Sequence, residues 1–121
     1  MITKTFNAEN EYDYELDIYS IISSDNFEFG KSLEIEDGII LDFDKNDIPI
    51  SIEILDISKR LKISKDDLMS SKANMKVKCS KDILEVYITF FVKIQEKEVS
   101  QCIDSKIANN YNIPEMEFAT C

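Results

Sequence analysis

The sequence predicts a β-rich α+β fold: one domain over residues 1–121, holding an antiparallel meander sheet of about six or seven strands with one or two short helices. Three observations predict it. Nineteen isoleucines dominate the apolar set, and β-branched side chains favour strands. Apolar and polar residues alternate with a period of two in segment after segment. Only two glycines and two prolines are present, so Asn, Asp and Ser must make the turns between those segments. At 121 residues and 14.0 kDa the chain can fill one core but not two.

The elements follow in order. The first ten residues are polar and read as a frayed end. Asp17 to Ser23 has strand composition, and Asp25-Asn26 marks a turn. Phe27, Phe29 and Leu33 lead into a short strand near Leu33–Glu36. After the Asp37-Gly38 turn, Ile39, Leu41 and Phe43 alternate with Ile40 and Asp42. Beyond Asp44-Lys45-Asn46-Asp47, the residues Ile48, Ile50, Ile52 and Ile54 alternate with Pro49, Ser51 and Glu53. A hairpin pairing Phe43 with Ile48, Leu41 with Ile50 and Ile39 with Ile52 puts every apolar residue on one face. A one-residue slip destroys that match. Pro49, which has no N–H, argues that its outward side lies at an edge or an irregularity.

Asp56 is placed to N-cap a helix in which Ile57 and Leu61 share a face, and Ser64 is placed to cap a second short one before Leu68. Three more strands follow. Met75, Val77 and Cys79 lie on the first, Leu84 to Ile94 form the second, and Val99 to Ile103 form the third. Ser80-Lys81-Asp82 and Gln95-Glu96-Lys97 are the turns between them. Ile107 and Tyr111, four apart, suggest a helical turn in the tail. The N-terminus carries no apolar signal segment, and no apolar run is long enough to span a membrane.

The net charge of −10 is unevenly placed. Residues 1–60 hold 15 acidic against 5 basic residues, and residues 61–121 hold 9 of each. An acidic half repels phosphate, which excludes unaided nucleic-acid binding, and the absence of a basic face disfavours a membrane surface. A basic protein partner fits better. An odd count of three cysteines without a signal peptide points to reduced thiols and a cytoplasmic location.

The chain has no histidine, which removes the commonest general base and every Ser-His or Cys-His pair. Gly30 and Gly38 alone cannot build a phosphate-cradling glycine loop. Asp42, Asp44, Asp47 and Glu53 crowd one hairpin, but solvated carboxylates keep ordinary acidities and give no acid–base pair. Asp42, Asp44, Asn46 and Glu53 also match an EF-hand calcium loop at positions 1, 3, 5 and 12. Position 6, however, is Asp47 instead of glycine, and the flanks read as strands. Glu53 would sit roughly 20 Å from the turn, at 3.3 Å per residue. No metal and no cofactor are therefore expected. Cys79, on the apolar side of its strand, reads as a buried inert thiol, and Cys121 as an exposed one open to oxidation. Tyr87 and Phe91 lie opposite the apolar face of their strand, which suggests burial on both sides or a homodimer interface.

Residues 12–61 resemble a small family known only as a domain of unknown function, number 2283. The resemblance rests on Tyr12-Asp13-Tyr14-Glu15-Leu16-Asp17, on Asp37-Gly38-Ile39-Ile40-Leu41-Asp42-Phe43-Asp44, and on Ile52 to Leu61 (Ile-Glu-Ile-Leu-Asp-Ile-Ser-Lys-Arg-Leu). The chain departs from the family pattern at Asn46-Asp47, at Ser51 and at Tyr19-Ser20-Ile21. Residues 62–121 resemble a C-terminal extension of archaeal relatives and are expected to complete the same sheet. The resemblance implies a small prokaryotic protein without an established activity, and some members beside toxin-like genes suggest an antitoxin-like role. It defines no functional residues. The expectation is thus a non-enzymatic, acidic protein-binding module, antitoxin-like, that meets a basic partner with Asp42, Asp44, Asp47 and Glu53. The competing expectations are a self-associating structural homodimer and a metal-dependent enzyme.

Overall fold

A computed structural model describes residues 2–120, with Cys121 outside the described residues. The chain runs β1 (Ile2–Phe6), β2 (Ala8–Asp13), β3 (Ile18–Ser23), β4 (Phe29–Glu36), β5 (Ile39–Asp44), β6 (Pro49–Leu55), α1 (Ile57–Leu61), α2 (Lys65–Leu68), β7 (Lys72–Cys79), β8 (Ile83–Ile94), β9 (Lys97–Ala108) and β10 (Met116–Thr120). Neither helix is long and apolar enough to cross a membrane.

The strands form two five-stranded sheets, ordered β2-β3-β6-β5-β4 and β1-β10-β7-β8-β9. In the first, Tyr19 and Ile21 of β3, Ile39, Leu41 and Phe43 of β5, and Ile52 and Ile54 of β6 point inward and are buried. In the second, Met75 and Val77 of β7 face the same way as Leu84, Val86, Ile88 and Phe90 of β8 and Met116 and Phe118 of β10. Both inward faces join in one continuous core, as a sandwich requires. The ring of Tyr19 meets that of Phe90 edge-on across the layers, with centroids 5.1 Å apart. Each fully buried isoleucine contributes about 1.5–3 kcal/mol, so the sheets hold together through this period-two pattern.

One corner of the sandwich is stitched by polar groups. The chain passes from β1 in one sheet to β2 in the other across Asn7. Asn10 Oδ1 on β2 then accepts from the backbone N–H of Ala73 on β7 (2.7 Å) and from the Tyr19 hydroxyl (3.3 Å).

Several expectations are corrected. Among the described residues the fold is β-rich with two short helices, but ten strands lie in two sheets in place of one meander sheet of six or seven. The second sheet is mixed, because β1 runs parallel to β10. Residues 62–121 build that second sheet with β1; they do not extend the first. A ladder between residues more than a hundred positions apart leaves no local mark in a sequence. The N-terminal residues expected to fray form β1 and β2, and the helical spacing of Ile107 and Tyr111 is incidental, since Ile107 lies within β9 and Tyr111 beyond its end. The β5–β6 hairpin keeps the expected faces but slides by two residues, with Leu41 opposite Ile52 and Ile39 opposite Ile54. A bulge beside Phe43 absorbs the slide and turns both Pro49 and Ile50 inward. Pro49 thus marks an irregularity on a central strand. Asp56 sits at the head of α1 in a left-handed conformation (φ 55°) and makes no side-chain cap, whereas Ser64 caps α2 as expected, accepting from the N–H of Asp67 (3.1 Å).

Candidate functional site

The registers of β2 to β6 define the outward face of the first sheet residue by residue. One row across it reads Glu9, Ile22, Ser51, Asp42, Ser32. The next reads Glu11, Ser20, Glu53, Ile40, Glu34, and the third begins Asp13, Ile18, Leu55. These rows contain six carboxylates and neither lysine nor arginine. Between the carboxylates lie the half-buried side chains of Ile18, Ile22, Ile40 and Leu55. The face is therefore acidic with an aliphatic centre.

The four carboxylates singled out in the sequence do not converge on a point. Asp42 and Glu53 are diagonal neighbours on this face. Asp42 accepts from the hydroxyls of Ser32 (2.5 Å) and Ser51 (3.0 Å) on the flanking strands, which fixes its orientation, while Glu53 is exposed. Asp44 lies at the hairpin loop and accepts from the backbone N–H groups of Asn46 (2.8 Å) and Ile48 (2.9 Å), so its carboxylate organises the turn. Asp47, at positive φ, pairs with Lys31 at 2.9 Å. The EF-hand-like spacing is carried by a strand, a loop and a second strand. Among the described residues no group of three or more His, Cys, Asp and Glu side chains is arranged to hold a metal ion.

The sequence reading missed Glu9, Glu11, Asp13 and Glu34. Their signal was present as carboxylates two apart, Glu9-x-Glu11-x-Asp13, on a strand whose inward residues Ala8, Asn10 and Tyr12 are too polar to announce it.

A buried carboxylate ties the end of the acidic face to α1. Asp17, at φ 57° ahead of β3, accepts from the Tyr12 hydroxyl (2.7 Å), from the Ser58 N–H (3.1 Å) and from the Ser58 hydroxyl (2.6 Å). It thereby supplies the α1 cap that Asp56 does not. Burial alone would raise its pKa; the hydrogen bonds from Ser58 and Tyr12, with Lys65 nearby, outweigh burial and hold it below the usual carboxylate value. Tyr12 is pushed well above the ordinary tyrosine value, first by burial and then by Asp17. Arg60, the sole arginine, clamps the other end, donating to the carbonyls of Leu55 (2.9 Å) and Asp37. A Cβ on Gly38, at φ +82°, would meet that guanidinium at 2.5 Å, so the turn takes glycine for both reasons.

Outside this face, Cys79 is buried as expected, and its thiol is raised by burial and by Glu115. Cys102 is exposed on β9. Tyr87 and Phe91 on the outward side of β8 are half-covered; Tyr87 donates to Glu85 (2.5 Å), and Lys76 and Lys72 lie opposite the two rings on β7.

Comparison with known proteins adds context. A protein of Methanosarcina mazei, provisionally named a hypoxanthine phosphoribosyltransferase, is 31% identical over 105 residues, which cover 86% of this chain and 84% of that protein. An uncharacterised protein of Methanocaldococcus jannaschii is 31% identical over 91 residues, 74% of this chain and 77% of its own length. No solved structure was found to match. The similarity therefore reaches beyond the acidic sheet into the second one. Residues 10–58, from β2 into α1, match a protein family of unknown function, and the chain belongs to that family, DUF2283.

Proposed function

We propose that this chain is a non-catalytic protein-binding module, antitoxin-like in kind, whose acidic outward face receives a basic partner. The observation that carries the reading is the register: it aligns Glu9, Glu11, Asp13, Glu34, Asp42 and Glu53 in adjoining rows with no basic side chain among them. Repulsion between these groups is a cost that a lysine- or arginine-bearing surface would relieve, and the central isoleucines suit the aliphatic stems of such residues. Asp42 and Glu53 belong to this surface, while Asp44 and Asp47 shape the loop at its end.

The name carried by the Methanosarcina mazei protein does not transfer easily. Phosphoribosyl transfer needs a cradle for phosphates, usually backbone N–H groups at a glycine-rich loop or a helix N-terminus. Here Gly30 serves a tight approach of the Asp44 backbone and Gly38 a left-handed turn beside the Arg60 guanidinium, and the helices have five and four residues.

The test is affinity capture of the tagged chain from native cells at low and moderate salt. A small basic protein is expected at low salt and lost near 0.3 M, where screening shortens to about 6 Å. Glu11→Lys with Glu53→Lys should abolish capture. Recovery of the chain alone at both salts, or turnover of hypoxanthine with phosphoribosyl pyrophosphate by the purified chain, would overturn the reading.

A further inference from the structure

We propose that the open edge of β9 pairs with β9 of a second copy of this chain, antiparallel about a two-fold axis through Ile103, and joins two second sheets into one continuous sheet. The argument begins with how the four sheet edges differ. An edge strand displays unpaired N–H and C=O groups, and proteins blunt that template with shortness, like charges or bulges. Three edges here are blunted. β1 has five residues, β2 carries Glu9, Glu11 and Asp13, and β4 is broken by two register shifts. β9 has none of these devices. It runs twelve residues from Lys97 to Ala108 in unbroken register with β8, without proline or glycine, and its charges are mixed in sign. β4 runs beside it at the corner of the sandwich but shares no ladder with it.

The geometry of the β8–β9 hairpin restricts the register. Its two-residue turn pairs Ile94 with Lys97, so the odd-numbered residues of β9 exchange backbone bonds with β8. The even-numbered ones, Glu98 to Lys106, aim their N–H and C=O groups off the edge. An antiparallel copy must therefore pair even with even. With the axis at Ile103, Cys102 lies opposite the second copy's Asp104, and Ser100 opposite its Lys106. On the inner side Ile103 meets its own equivalent, Val99 meets Ile107 and Gln101 meets Ser105. Val99, Ile103 and Ile107 are left half-buried by their own sandwich, as is Gln101 between them, while Ser105 on the same side is buried. Each Lys106, held only at 3.8 Å by Glu85, also comes diagonally beside the other copy's Glu98. The strand is thus complementary to itself in apolar pattern, and its two Lys106–Glu98 contacts offset the two Asp104 carboxylates that the same register sets diagonally across the axis.

Light scattering on the whole chain at about 100 µM, well above a micromolar Kd, is expected to give twice the 14.0 kDa mass. Ser100→Pro removes an N–H that points off the edge and leaves the β8 ladder whole, so it should halve that mass while the strand signal in circular dichroism persists. Ile103→Cys, placed in a Cys102→Ser, Cys121→Ser chain, reads the register. Oxidised glutathione should take two electrons from the facing thiols as their protons leave, giving a disulfide-linked dimer. A wild-type mass of 14.0 kDa overturns the proposal, as does a doubled mass that survives Ser100→Pro. A doubled mass without the Ile103→Cys cross-link overturns the register.

Discussion

Asp17 shows how much of this fold rests on one side chain. It is 5% exposed, yet its carboxylate takes donors from β2 and α1, segments on either side of it in the sequence and 41 residues apart at the far contact. Asp17→Asn suits the same left-handed backbone, so the substitution isolates the charge and the acceptor from the conformation. Removing an acceptor from buried donors costs about 1–3 kcal/mol, and thermal unfolding at neutral pH should fall accordingly. The sign of the pH effect follows from the lowered native pKa of Asp17. The carboxylate stabilises fully above the ordinary value near 3.9, and the contribution is lost as pH falls through the lower native value. The gap between wild type and Asp17→Asn should therefore be widest at neutral pH and close in acid. An equal gap at pH 7 and pH 2 would show that shape, not charge, matters at this position. Asp17 was hidden in the sequence because its partner Ser58 is far away, and Asp56, adjacent to the helix, looked like the cap.

Elements with strict alternation were legible, and those without it were not. β3 and β5 to β8 bury apolar residues at alternate positions, β9 half-buries Val99, Ile103 and Ile107, and this hydrophobic pattern marked each of them. β2 escaped notice because an edge strand with Asn10 as its inward hydrogen-bonding centre needs little hydrophobicity. β10 escaped because Met116 and Phe118 are too few to set a period. The β8–β9 turn is a case where local chemistry is out of step with geometry. Gln95 and Glu96 both adopt positive φ (50° and 66°), a conformation that costs an L-residue roughly 1–2 kcal/mol. Asn and Gly are the residues such a turn favours. Gln95→Asn with Glu96→Gly should stabilise the chain by about 1–2 kcal/mol, read as a rise of roughly 4–8 °C in Tm. A lower Tm would mean that the turn side chains hold contacts beyond their backbone.

At the scale of the whole molecule, the acidic sheet was half legible. The sequence showed which half of the chain carries the negative charge, and Asp42 and Glu53 were placed on one outward face. It did not show that β2 returns beside β3 to line Glu9, Glu11 and Asp13 along that face, because strand order is a long-range property. The charge segregation then sets stability against binding. Glu53 lies mid-row between Ser20 and Ile40, with Glu11 and Glu34 at the row's ends and Asp42 on the diagonal. If these carboxylates serve the fold, replacing one should destabilise it. If they serve a partner, the free chain endures their repulsion, and Glu53→Lys should relieve it. Exposed charges of this kind are worth about 0.2–1 kcal/mol each, so Tm should rise by a few degrees at low salt. The gain should shrink in salt as the Debye length drops below about 8 Å. The same substitution should weaken capture of a basic partner, because it places a like charge at the centre of the contact. A chain made more stable and less able to bind by one substitution is the pattern expected of a surface kept for function. A fall in Tm at low salt would instead assign the acidic rows to the architecture of the sheet.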